Sequence, residues 1–252
     1  DKQFRGGRES TRETFKILPA TATLNIGRPI GNFLKAGLSY DILSARYRRE
    51  DVTGKDFVLP VNHLTHTLSG NLKFTRDGYQ AAVDAGYSRR SEWKFWGLPG
   101  NTDFDPDQRD YWKWQATVSK TWSFSAFRRL GIEVNYLGGK DLDRFSKYEF
   151  GYFGGSRVHG YRSNRVRAEE ATLTHVTYGF GIGDVFRIDA IADAALATDK
   201  LGGLKNELLA GAGLSGTFIG PWQTVVNLDF GVPVAGPDNG FTVYLVFLKL
   251  FR

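Results

Sequence analysis

Residues Tyr111 to Phe124 alternate with a period of two. Trp112, Trp114, Ala116, Val118, Trp122 and Phe124 fall on one face, and Lys113, Gln115, Thr117, Ser119, Thr121 and Ser123 on the other. That period belongs to a strand, whose successive side chains point to opposite sides. A soluble sandwich also alternates. Tryptophans at both ends of an apolar stripe, with Ala and Val between them, instead form the aromatic girdle of a strand that crosses a bilayer. Lys120 is the one misfit, and near a strand end its long stem can carry the ammonium to the interface.

The pattern recurs along the chain. In Asn206 to Phe218 the apolar face is Leu208, Ala210, Ala212, Leu214 and Phe218, against Glu207, Gly211, Gly213, Ser215 and Thr217. Trp222 to Val232 sets Val226, Leu228 and Phe230 against Gln223, Asn227 and Asp229, and Thr172 to Ile182 sets Val176, Tyr178 and Phe180 against His175, Thr177 and Gly179. Ile188 to Leu196 sets Ala190, Ala192 and Ala194 against Asp189 and Asp193. Further strands are expected over Phe15–Ile26, Leu34–Arg46, Leu64–Thr75, Tyr79–Arg90 and Gly131–Leu137, with a last one, Phe241–Phe251, apolar on both faces. Each is near the 9–11 residues that a tilted membrane strand needs. Short turns, as at Arg76-Asp77-Gly78, alternate with long loops, of which Gly138 to Glu170 is the longest. Short connections on one side and long ones on the other mark an outer-membrane barrel. These strands number about eleven, and if both termini lie on the short-turn side the count must be even. The expected fold is therefore all-β, a transmembrane antiparallel β-barrel of about 12 strands, forming one domain over residues 1–252. The twelfth strand is expected from the Asp1–Arg12 region or from residues outside this sequence.

Composition agrees. The 252 residues are 41% hydrophobic with a mean hydropathy of −0.32, which suits a barrel in which only alternate residues meet lipid. No run approaches the roughly 18 apolar residues of a membrane helix. Thirty glycines and 14% aromatics fit curved strands and interfacial girdles. With no cysteine there is no disulfide framework and no thiolate site. Asp1-Lys2-Gln3 is not an apolar signal, so any export signal is expected to have been removed already. A net charge of +6 and a pI near 9.4 suit anionic lipid headgroups as well as nucleic acid.

Tyr148 to Arg162 is too polar for a membrane strand and too rich in Gly and aromatics for a solvated loop, so it is expected to fold back against the strands. Within it, Phe153-Gly154-Gly155-Ser156-Arg157-Val158-His159-Gly160-Tyr161-Arg162 resembles the Val-Arg-Gly-Phe/Tyr loop of BamA/TamA-type outer-membrane protein assembly factors, and five strands follow it, as in that family. Phe95-Trp96-Gly97-Leu98-Pro99-Gly100-Asn101 is similar to a segment common among those proteins. The terminal strand, with Phe241, Phe247 and Phe251, resembles an outer-membrane sorting signal, although Arg252 ends the chain. The resemblance implies that the loop, about residues 138–170, folds inward and that its motif residues Gly154, Gly155, Val158, His159, Gly160, Tyr161 and Arg162 lie in the lumen. The family's loop arginine pairs with acids on the two following strands. Here its position is His159, and the two acidic positions fall on His175 and Asp193. A His159–Asp193 pair, or Arg162 as substitute donor, would supply the charge-assisted bond. The family also carries periplasmic domains and about sixteen strands, for which this chain has no room. It looks like a short barrel-only relative or the membrane half of a larger protein.

Other motifs read as structural. Gly211-Ala-Gly-Leu-Ser-Gly216 fits a dinucleotide fingerprint but continues a strand instead of opening a helix. His63 and His66 point to opposite strand faces, so they make no metal pair. Asp103, Asp105, Asp107 and Asp110 miss the EF-hand spacing at Gln108 and Trp114. Arg157, Arg162, Arg165 and Arg167 sit beside Glu169 and Glu170, which favours lumen pairing or lipid headgroups over nucleic acid. No G-x-S-x-G elbow exists, and a phospholipase pairing with His66 fails because residue 68 is Leu. No cofactor, metal or catalysis is expected. The expected role is a barrel related to assembly and translocation factors, with a seam between first and last strands. The alternatives are a membrane anchor for a surface hydrolase and a small pore. Expected partners are outer-membrane lipid, other outer-membrane proteins, or a second copy joined through the seam.

Overall fold

A computed structural model describes all residues except 6–7, 102, 152–154, 163–165, 184, 201–202, 221–223 and 250–252. Its strands are β1 (Gln3–Arg5), β2 (Arg8–Ser10), β3 (Phe15–Ile30), β4 (Leu34–Arg49), β5 (His63–Arg76) and β6 (Tyr79–Arg90). Next come β7 (Asp110–Ser125), β8 (Arg128–Lys140), β9 (Tyr148–Phe150), β10 (Gly155–Ser156) and β11 (Val166–Ala168). The chain continues with β12 (Glu170–Ile182), β13 (Phe186–Asp199), β14 (Leu204–Gly220), β15 (Thr224–Ala235) and β16 (Thr242–Lys249). Among the described residues, eleven form one antiparallel sheet in the order β16-β15-β14-β13-β12-β8-β7-β6-β5-β4-β3. Every neighbour except the β8–β12 pair is joined by a single hairpin connection, and those two are separated by the long loop.

The eleven strands lie where the alternation predicts, several of them longer at the long-loop end. The Asp1–Arg12 region does not supply a twelfth. Its residues pair with one another as the β1–β2 hairpin, outside the main sheet. Hairpin chemistry fixes the register at the short turns. Asp77 (φ 47°) and Gly78 (φ 79°) both adopt left-handed backbone, as a tight hairpin turn requires. Lys120 meets the need the sequence raised: its Nζ donates to the Asp77 carbonyl at 2.7 Å and sits 3.6 Å from the Tyr79 ring centre.

The two faces differ chemically. On one, every strand of the sheet exposes a large apolar side chain: Leu24, Leu38, Leu68, Val83, Val118, Val134, Tyr178, Leu196, Leu214, Leu228 and Leu245. An apolar face this continuous far exceeds the few hundred Å² that soluble monomers leave uncovered. The other face buries Asp189, Asp193, Ser215 and Asp229 at mid-strand. Toward the long-loop end that same face turns apolar. There Leu137, Ala171, Leu173, Ala195, Ala197 and Leu209 pack with Tyr148, Phe150, Val158 and Tyr161 of the loop. A second cluster joins Phe15 and Tyr47 to Phe57 and Trp96, with Phe145 and Trp93 against it. The core thus sits under the long loops on the polar face. No helix among the described residues is long and apolar enough to cross a membrane.

Candidate functional site

The segment between β8 and β12 holds a small sheet of its own, β10-β9-β11. Its two- and three-residue strands carry no readable periodicity, which is why the sequence shows only a loop. From it, Val158 to Arg162 descends onto β13, β14 and β15. Glycines admit it. A Cβ on Gly211 would collide with the His159 carbonyl, and one on Gly231 would lie 2.5 Å from the Gly160 nitrogen. Gly160 itself has φ +85° and lies against Val232 and Pro233, so only glycine suits it. Gly211 thus admits the loop backbone and Gly213 the His159 ring, which a Cβ there would meet at 2.5 Å.

At the bottom of this descent Asp193 lies between two imidazoles. Its Oδ2 accepts from the His159 backbone N–H at 2.7 Å and lies 2.5 Å from His159 Nδ1, while its Oδ1 lies 2.7 Å from His175 Nδ1. His159 Nε2 is 3.5 Å from Asp229 Oδ2, and Asp229 also pairs with Arg157. The Asp193 side chain is fully buried, and His159 is 5% exposed. Burial pulls the His159 imidazole toward its neutral form. The hydrogen bond to Asp193 and the nearby Asp229 carboxylate outweigh that pull and hold its pKa above the ordinary imidazole value. Tyr161, buried in the adjoining apolar cluster, donates its hydroxyl to the Ala235 carbonyl of β15.

Ion pairs staple the rest of the segment to the strand ends. Lys147 Nζ lies 2.6 Å from Asp199 of β13 and 3.4 Å from Glu169. Arg167 bonds Glu149 at 2.9 Å and also Asp1, which Arg144 holds at 2.8 Å. Arg90 of β6 bonds Asp143 at 2.6 Å, both nearly free of solvent, with its guanidinium 4.1 Å from the Trp93 ring centre and 4.7 Å from that of Tyr111.

The structure therefore brings Val158, His159, Gly160 and Tyr161 together with His175 and Asp193. Arg162 is not part of this group. It is exposed, and its backbone N–H donates to Asp238 at 3.1 Å, so Arg162 does not take the place of His159 at Asp193. Gly155 lies in β10, paired across from Glu149. Gly154 and Phe251 fall outside the described residues. Phe241 precedes β16 and stacks on Phe230 with ring centres 6.0 Å apart, and Phe247 is exposed on β16. Sequence reasoning missed Asp229 as a partner of the loop, although lumen pairing of Arg157 was expected. Asp229 was visible as a carboxylate on the inner face of its strand, the same signal that marks Asp193. Asp105 caps the turn Pro106–Arg109 through the Asp107 N–H at 2.9 Å.

No family model matches the sequence, and no curated protein matches it. Among solved structures the chain is similar to the BamA of Haemophilus ducreyi in a crystal form lacking POTRA domains 1–3. The TM-score is 0.63 and the identity 11%, over 94% of this chain and 55% of that one. The fold is that of a BamA-type barrel. The chain spans little more than half the length of that BamA structure. At 11% identity the likeness rests on the path of the strands and not on shared side chains.

Proposed function

We propose that the chain is an integral bacterial outer-membrane β-barrel related to protein assembly and translocation factors, with no catalysis of its own. The loop between β8 and β12 plugs its lumen. Residues 1–252 act as one barrel domain, with the apolar face in lipid. The observation that carries this reading is the pairing of a continuous exposed apolar face with an opposite face whose buried Asp193 grips His159. A charge at that depth is tolerated only when paired, and here its partner comes from the loop. The mechanism rests on strand edges. Among the described residues β3 and β16 do not pair with each other, and each presents a row of backbone groups that can template an added strand. Its partners are outer-membrane lipid and other outer-membrane proteins or a second copy joined at that seam, with no role for nucleic acid.

Single-channel recording in planar bilayers tests the plug. The wild type is expected to conduct poorly and erratically, and His159→Ala, which releases the grip, to open a steadier and larger conductance. A steady wild-type conductance equal to that of the variant would favour a simple pore and overturn the plug.

A further inference from the structure

At the short-turn end of β7, β8 and β12 the apolar face is indented by a groove lined by Phe124, Phe127, Arg128, Tyr178 and Phe180. Arg128 stands directly across from Phe180 in the β8–β12 register and from Ser125 in the β7–β8 register, where a bulge shifts the pairing. It lies on the face that also carries Leu130, Ile132 and Val134. The aromatic rings are largely exposed, Phe124 at 63% and Phe127 at 47%. Arg128 makes no ion pair or side-chain hydrogen bond among the described residues. Lys120 on the same face does not share that condition, since a carbonyl and a ring receive it. A guanidinium on an apolar face near a barrel rim is stable when its fork meets an anion at the interface.

Resting on the membrane reading above, we propose that this groove binds the phosphate headgroup of an anionic phospholipid in the leaflet at the short-turn rim. Arg128 takes the phosphate, and Phe124, Phe127, Tyr178 and Phe180 flank the glycerol and upper acyl chain. The charge around it is complementary: Lys120 and Arg76 lie near the same rim at the short-turn ends of β7 and β5. A basic rim draws anionic lipid, each such residue contributing to the attraction within a Debye length. The aromatic walls make one point of that rim a defined site. Arg28 provides the contrast. It is unpaired among the described residues and lies on the same face, but across from Ala36 instead of an aromatic ring.

The test uses the whole chain in detergent with defined phosphatidylglycerol or phosphatidylcholine, and native mass spectrometry counts retained lipid. Wild type is expected to keep phosphatidylglycerol in preference to phosphatidylcholine. Arg128→Gln is expected to lower phosphatidylglycerol retention about fivefold, the loss of one basic contact at an anionic surface. Arg128→Lys should keep part of it, because a point charge lacks the guanidinium fork. Arg28→Gln should leave it nearly unchanged. Equal losses in the Arg28 and Arg128 variants would mean a diffuse basic rim and would overturn the site, as would an Arg128→Gln chain that binds like wild type. A parallel flotation assay in vesicles of either lipid separates the two failures: a wild type that does not enter them would instead remove the membrane reading beneath it.

Discussion

Asp193→Ala is expected to be among the most damaging single changes in the chain, lowering stability by about 3–5 kcal/mol, the usual cost of removing one partner from a buried charged group. One carboxylate receives His159 through both backbone and ring and receives His175 from the neighbouring strand β12. Its loss leaves two imidazoles and a buried N–H without an acceptor. Asp193→Asn keeps an acceptor oxygen and loses the charge, so its cost should be smaller, about 1–3 kcal/mol. Urea titration in lipid vesicles measures both. Released from β13, the loop should also become open to trypsin at Arg157 and Arg162. The pH dependence follows from the raised His159 pKa. A group whose folded pKa exceeds its unfolded value adds stability that is complete below the unfolded pKa and is lost as pH rises through the folded one. The gap between wild type and Asp193→Ala that arises from this pair should therefore narrow toward alkaline pH. A gap unchanged from acid to alkaline pH would show that the imidazolium contributes nothing.

The second large effect is expected at Asp143→Ala, again about 3–5 kcal/mol. The change leaves the buried Arg90 cation, which is 2% exposed and lies near the Trp93 and Tyr111 rings, with the neutral Gln108 carbonyl and no counter-charge at that position. It also removes the acceptor of the Ser146 N–H at 3.1 Å, which shapes the start of the loop. Asp143 and Asp193 share no partner, so the double variant should lose the sum of the two within about 0.5 kcal/mol. Strong non-additivity would mean that the loop docks as one cooperative piece. The same urea titration reads it.

The sheet was legible in the sequence because its signal is repeated and local. Alternation such as Ala190, Ala192 and Ala194 against Asp189 and Asp193 sets strand, face and register together, since a slip of one residue would turn carboxylates onto the apolar side. The inward carboxylate at Asp193 was readable for the same reason. The place of Asp1–Arg12 outside the main sheet was not readable, because parity assumes where the termini lie, whereas Asp1 is held among Arg144 and Arg167 at the long-loop end. The short β9, β10 and β11 escaped notice because two or three residues cannot display a period. Arg162 was a plausible donor by charge alone. What excludes it is geometry set by Gly160 and Tyr161, whose backbone turn and buried ring carry the next residue out to the surface. The role of Gly211 and Gly231 is also tertiary: the sequence marks them as small, and only the descending loop explains why.

One face of this sheet is expected to meet lipid and the other a closed interior. The chain contains no cysteine, so a single engineered one carries a unique fluorophore. Leu228→Cys and Asn227→Cys place it on opposite faces of β15, the first on the exposed apolar face and the second among Ser215 and Thr217. In vesicles whose acyl chains are brominated, the label at residue 228 should be strongly quenched and the label at 227 spared. Equal quenching at both positions, or a wild-type chain that stays monodisperse in buffer without detergent, would contradict the account.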